Sequence, residues 1–131
     1  DRDSFEPDHF DNAIHKAESQ ENMHVAWSNE AFELWYLLHF EYRNSGMSRS
    51  EYQDKLEYHI RKSESRYSKF EYKKSDPFFI QTLHSCGSER EAVERARRLD
   101  DLYESEEVPY HKRNPGTTVY KLVEELTKMR N

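Results

Sequence analysis

Apolar residues recur every three or four positions over most of this chain, which is the spacing of one face of an α-helix. The spacing predicts helices over residues 8–18, 30–40, 50–60, 76–83, 88–103 and 117–129. The stretch 30–40 (EAFELWYLLHF) is apolar on nearly every side, so we expect it to be the buried central helix, with Ser28 or Asn29 as its N-cap. In the last helix, five residues form one apolar stripe: Val119, Leu122, Val123, Leu126 and Met129.

A strand is predicted at only one place. Residues 24–27 (HVAW) are too few for a helix and are bounded by polar residues, which favours a short buried strand. Three glycines and four prolines argue against an all-β protein with many tight turns. A length of 131 residues fits one domain over residues 1–131. The domain is therefore either nearly all helical, or an α/β domain whose first strands precede Asp1.

Charge is unevenly distributed along the chain. The net charge is −6, yet residues 58–74, here called the basic segment, hold six Lys or Arg and two Glu, which is +4 and leaves −10 for the rest. Arg66, Lys69, Lys73 and Lys74 in this segment could bind nucleic-acid phosphates, with the interleaved aromatic rings stacking on bases. Alternatively, the segment is a solvated face whose long side chains pack over those rings.

Cysteine usage and hydropathy restrict the class of protein. Cys86 is the single cysteine, which excludes an internal disulfide framework and favours a reducing compartment. No run approaches 18 consecutive apolar residues. We therefore expect a soluble, cytoplasmic protein without a membrane partner.

The most suggestive acidic motif is Asp1-Arg2-Asp3. In an extended chain, residues i and i+2 point to the same side, so both carboxylates can face one Mg²⁺ ion. Such pairs are also common in surface turns and helix caps, so the spacing alone leaves both interpretations open.

Three other polar sites also have two interpretations. Glu33 lies in an otherwise apolar helix, where an unpaired carboxylate would be costly, so it must meet a metal, an arginine or hydrogen-bond donors. His39 is either a proton-transfer group or ligand, or a hydrogen-bonded core histidine. Ser28 and Asn29 could orient a metal site from a strand end or simply cap a helix.

Four segments together resemble one family: the opening DRD, SNEAFELWYLLHFE (residues 28–41), REAVERARRL, and NPGTTVYKLVEEL. They resemble the RloB-like/AbiLii family of bacterial proteins, which are found beside restriction–modification genes and in phage abortive-infection systems. The second segment is the most specific, although Glu30 and Ala31 stand where the family usually has Pro and Cys. The resemblance runs in order along almost the whole chain.

The resemblance implies a Toprim-like α/β fold: a small, mostly parallel sheet with a central strand before Asp1, a second strand at residues 24–27 and a helical C-terminal half. In the family, a glycine- and glutamate-containing segment precedes that strand. We expect these parts to lie upstream, which makes this sequence a fragment.

The implied function is phage defence by a Mg²⁺- or Mn²⁺-dependent nuclease. Asp1, Asp3 and Glu33 would bind the metal, His39 would be a further catalytic group, and the substrate would be DNA or RNA. The alternative is a non-catalytic interaction or regulatory subunit that recruits a partner ATPase or a restriction-system protein. A third possibility, a plain DNA-binding helical module, would depend on the basic segment and need no metal.

Overall fold

The computed structural model describes residues 6–19 and 26–130 of the chain. The helices in these ranges are α1 (Pro7–Glu18), α2 (Glu33–Leu37), α3 (Arg49–Ser63), α4 (Phe79–Cys86), α5 (Glu89–Ser105) and α6 (Val119–Arg130). Short 3-10 turns lie at Ser65–Tyr67 and Tyr110–Lys112. Two strands, β1 (Ser28–Asn29) and β2 (Gly116–Thr117), complete the fold.

The helices begin where the sequence supplies a suitable first residue. Pro7 opens α1, whose buried face carries Phe10 and Ile14. The side chain of Ser48 accepts a hydrogen bond from the Glu51 amide and caps α3; the cap is therefore Ser48 and not Ser50, the residue at which the sequence predicted the start of this helix. The Ser88 side chain caps α5 in the same way. The helices predicted from apolar spacing are therefore confirmed, with shifted ends.

The core is built around α2, as predicted for the central helix. Leu34, Leu37 and Leu38 are fully buried, and α2 packs against α3 and α5. The helix is shorter than predicted and begins after Phe32, with no side-chain cap. The prediction that Ser28 or Asn29 caps it is wrong, because both residues belong to β1.

The predicted α/β fold is wrong. The described residues are mostly helical, and their one sheet has two antiparallel strands, not a small, mostly parallel, Toprim-like sheet. Ser28 lies opposite Thr117, and Asn29 opposite Gly116.

The predicted strand at residues 24–27 also differs from the structure. Trp27 precedes β1 and packs its ring against Phe10, with a centroid distance of 5.6 Å. The Trp27 amide donates to the Thr118 hydroxyl, and the Trp27 carbonyl accepts a hydrogen bond from the Thr118 amide. Residues 24 and 25 lie outside the described ranges.

The last helix buries only part of its apolar stripe. Val119 is buried and Val123 packs at the edge of the core, whereas Leu122, Leu126 and Met129 are exposed. Over the described part of the chain, no helix has both the length and the hydropathy to cross a membrane.

Candidate nucleic-acid surface and acidic residues

Asp1 and Asp3, the predicted metal ligands, lie outside the described residues. Helix α1 is held in place by contacts with a turn far along the chain. The Asp11 carboxylate accepts hydrogen bonds from the His111 backbone amide at 2.8 Å and from His111 Nδ1 at 2.6 Å. Asn29 Nδ2 in turn donates to the His111 carbonyl at 3.1 Å. His111 therefore connects α1 to β1 and to the turn before β2.

No local pattern in the sequence indicates this connection, because the paired residues are 100 positions apart and each looks like an ordinary polar residue. Asn29 itself is fully buried, and its Oδ1 has no hydrogen-bond partner among the described residues. Ser28 exchanges a 2.9 Å hydrogen bond with Thr117 across the sheet. The structure thus uses Ser28 and Asn29 to join strands, and their predicted part in orienting a metal stays a prediction.

Glu33 is 1% exposed and meets two partners from other elements. The Tyr72 hydroxyl donates to Oε1 at 3.2 Å, and Arg49 Nε lies 3.8 Å from Oε2. Burial first, and the Glu33 charge second, raise the pKa of both Tyr36 and Tyr72. Of the two interpretations, the contacts match a carboxylate paired with an arginine and a hydroxyl donor.

No metal-binding group of three His, Cys, Asp or Glu side chains exists within the described ranges. Glu33 therefore does not form such a group with other described residues. Whether it joins Asp1 and Asp3 is a prediction that these ranges do not test.

Replacing Tyr72 by phenylalanine removes the donor to this buried carboxylate and keeps the ring. We expect the free energy of unfolding to fall by about 1.5–3 kcal/mol, the usual size of a hydrogen bond to a charged group. Urea denaturation measures the change. Tyr67→Phe is the matched control, since the Tyr67 ring lies under Arg66 in an exposed turn and should tolerate the loss of its hydroxyl. Equal stability of the two variants would contradict the assigned role of Tyr72.

His39 has the geometry of a core histidine. Its ring is 3% exposed, and Nδ1 donates to the Trp35 carbonyl at 2.9 Å. Burial lowers the pKa of His39 below the usual value, so the neutral ring is favoured. The His39 carbonyl accepts the amide of Ser88 at the start of α5. These contacts give His39 a structural role; its predicted catalytic role stays untested.

The basic segment is held against helices α3 and α4 by hydrogen bonds and ring contacts. Arg61 Nε donates to the Phe70 carbonyl at 2.7 Å, and the Tyr72 amide donates to Glu57 Oε2 at 2.8 Å. Phe70 and Tyr72 also pack their rings against Phe79 of α4. The part of the segment that follows α3 therefore has a fixed position, although its regular structure is limited to the 3-10 turn at Ser65–Tyr67.

The four predicted phosphate-binding residues differ in their surroundings. Arg66 pairs with Glu64 at 2.7 Å and lies over the Tyr67 ring at 4.7 Å, which matches the alternative of a side chain packed on an aromatic ring. Lys69, Lys73 and Lys74 are exposed and form no ion pair with other described residues. The structure therefore leaves three lysines available to an external anion.

Comparison with known proteins gives one match. The model of the family described as "RloB-like protein" matches residues 1–126, nearly the whole chain. No curated protein and no solved structure matches. The matched range contains the Asp1-Arg2-Asp3 motif, β1 and α2, the basic segment and β2. The chain therefore belongs to the RloB-like protein family.

Proposed function

We propose that the chain is a phage-defence protein that cleaves phosphodiester bonds of nucleic acids, with Asp1 and Asp3 holding Mg²⁺ or Mn²⁺. The observation that carries this proposal is the Asp-x-Asp motif within the range matched by the RloB-like family. The resemblance to proteins of abortive-infection systems supports the role in defence.

The chemistry fits the residue types. A divalent ion bound by one or two carboxylates keeps open positions for phosphate oxygens and water, and it can activate water and stabilise a leaving oxygen. Contacts among Asp11, His111 and Asn29 fix α1, the first described helix after the motif in the sequence. Glu33 has its own partners in Tyr72 and Arg49, and we assign it to the fold first.

The proposal is tested by incubating the protein with labelled single- and double-stranded DNA and RNA, in Mg²⁺, Mn²⁺ or EDTA. We expect metal-dependent cleavage that falls to the EDTA level in the Asp1→Ala/Asp3→Ala double variant. Asp54→Ala/Asp101→Ala is the matched control, because it removes the same charge at exposed helix positions. Cleavage that survives in the Asp1→Ala/Asp3→Ala variant would rule these residues out as metal ligands.

The alternative, a non-catalytic interaction subunit, is favoured by one observation. Leu122, Leu126 and Met129 lie at helical spacing on α6 and are 51%, 48% and 81% exposed. An exposed apolar face of this kind often binds another protein, such as a partner ATPase or a restriction-system protein.

Phage plaque assays separate the two functions. If Leu126→Glu abolishes protection and Asp1→Ala/Asp3→Ala does not, the interaction subunit is favoured over the nuclease. The opposite result supports the nuclease.

A further inference from the structure

One turn carries two exposed lysines and one exposed aromatic ring. The Asp76 amide donates to the Lys73 carbonyl at 3.0 Å, and the Phe78 amide donates to Asp76 Oδ1 at 2.9 Å. These two bonds hold the backbone from Lys73 to Phe78 in one compact conformation. Lys73, Lys74 and Phe78 therefore lie on one ordered backbone segment, here called the 73–78 turn.

The exposure of Phe78 is not explained by packing. Its neighbour Phe79 is 4% exposed and contacts the rings of Tyr36, Phe70 and Tyr72, at centroid distances of 4.7, 6.2 and 5.1 Å. Phe78 is 64% exposed and takes part in no ring contact with another described residue. The contacts of Phe79 thus hold the end of the turn against the core, while the Phe78 ring remains exposed to solvent.

Two aromatic rings of the basic segment are less available for stacking than the Phe78 ring. Lys62 Nζ lies 4.5 Å from the centre of the Tyr58 ring, and the Arg66 guanidinium lies 4.7 Å from that of Tyr67. No such cation lies over Phe78 among the described residues. Phe78 is therefore the ring best placed to accept a flat partner from outside.

The charge around the turn favours an anion. Lys69, Lys73 and Lys74 are exposed, whereas several nearby acids are already engaged. Glu64 pairs with Arg66 and Glu57 lies 3.7 Å from Arg61, so an arginine offsets each of these charges, whereas Asp76 keeps its charge while it accepts the Phe78 amide. Glu71 is the one exposed acid between Lys69 and Lys74. The turn therefore presents net positive charge beside an uncovered aromatic face.

We propose that the 73–78 turn binds a single-stranded nucleic acid, with Lys73 and Lys74 contacting phosphates and Phe78 stacking on an unpaired base. Lysines beside an exposed ring match a chain that carries phosphates and bases together. A base held in a duplex cannot present its face to the ring, so the ring favours single strands. The inference deepens the proposed nuclease function by naming its substrate class.

Fluorescence anisotropy with labelled oligonucleotides in EDTA tests binding apart from cleavage. The probes are single-stranded DNA, single-stranded RNA and the corresponding duplexes, which also separates the two nucleic acids. We expect single strands of at least one type to bind more tightly than its duplex. Phe78→Ala should weaken single-strand binding roughly 5- to 150-fold, the usual effect of losing one stacked base, and Phe78→Trp should retain it. Ile80→Ala removes another exposed apolar side chain nearby and should leave binding unchanged.

The lysines are tested through salt dependence. Lys73→Gln/Lys74→Gln should make the slope of log affinity against log salt shallower by about 1.4, since each phosphate contact on a single strand contributes roughly 0.7. Lys16→Gln/Lys128→Gln removes the same charge from exposed positions on α1 and α6 and should leave the slope unchanged.

Several results would overturn the inference. Unchanged single-strand binding in both Phe78→Ala and Lys73→Gln/Lys74→Gln would do so, as would duplex binding of equal strength. If Phe78→Ala and Ile80→Ala instead release a bound protein and leave oligonucleotide binding intact, the turn is a protein-docking surface. Wild-type protein that binds single strands in EDTA but cleaves none of them in Mg²⁺ or Mn²⁺ would count against the nuclease alone and leave this inference standing.

Discussion

Replacing Arg113 by methionine is expected to lower the free energy of unfolding by about 3–5 kcal/mol, because it leaves a buried carboxylate without its main cation. The Arg113 side chain is 7% exposed, and its Nη1 lies 3.4 Å from Asp100 Oδ1 and 2.9 Å from Glu104 Oε1. Its Nε donates to the Val108 carbonyl at 2.7 Å. Asp100 keeps a 2.7 Å hydrogen bond from the Tyr120 hydroxyl and a 3.6 Å ion pair with Lys121, whose side chain is exposed, so Arg113 is its buried cation.

Arg90→Met is the matched control for this prediction. The Arg90 side chain is 90% exposed and contacts Glu94 at 3.9 Å, so its loss should cost less than about 0.5 kcal/mol. Chemical denaturation of both variants gives the two values. The double variant Arg113→Met/Asp100→Asn should lose less stability than the sum of its single variants, since it removes both buried charges. An additive result would contradict the pairing.

The expected loss matters for the proposed site because of where Arg113 lies. It joins α5, through Asp100 and Glu104, to the segment that carries His111 and β2. His111 is also the residue that binds Asp11 of α1. The Arg113 network therefore supports the connection that holds the helix after the Asp1-Arg2-Asp3 motif. A variant that weakens this network should be checked for folding before any loss of cleavage is attributed to chemistry.

The helices could be predicted from the sequence because local rules determine them. Tyr52, Leu56 and Ile60 recur every four residues and are fully buried in α3. Ser88 caps α5, and Glu89 and Glu91 follow it in the first turn, which is a local arrangement of the same kind. Apolar spacing also predicted α6, but it did not predict which of the apolar residues are buried. Only one side of α6 packs against α5, and Leu122, Leu126 and Met129 remain exposed. Periodicity shows that a face is apolar, and tertiary structure decides whether it is covered.

The sheet could not be predicted in the same way. Strands of two residues carry no alternating pattern, and β1 pairs with a segment close to the other end of the chain. The Asp11–His111 connection has the same long range. Glu33 was predicted as a metal ligand, whereas in the structure it contacts Arg49 and Tyr72. Tyr72 is 39 positions away from Glu33 in the sequence. Pairings of this kind depend on which helices pack together, which local spacing does not encode.

The second large effect is expected at alkaline pH, where Tyr52 makes the protein less stable. Tyr52 is fully buried in α3, and burial raises the pKa of its phenol from 10.0 to about 12. Below pH 10 the phenol is protonated in both the folded and unfolded states, so its contribution does not change with pH. Between pH 10 and 12 the unfolded state releases this proton and the folded state retains it, so stability falls as pH rises. Two pH units correspond to a loss of about 2–3 kcal/mol from this one group.

Urea denaturation at about pH 8, 10, 11 and 12 compares the free energy of unfolding of the wild type with that of Tyr52→Phe. The wild type should lose about 2–3 kcal/mol more than the variant over this range, because phenylalanine has no proton to release. Burial also raises the pKa of Tyr103 to about 12, so the variant should still lose some stability. Tyr58→Phe makes the same chemical change at a ring that is 60% exposed, and its alkaline loss should match that of the wild type. Parallel curves for the wild type and Tyr52→Phe would mean that the hydroxyl of Tyr52 reaches water in the folded protein, and would contradict its place in the core beside α2.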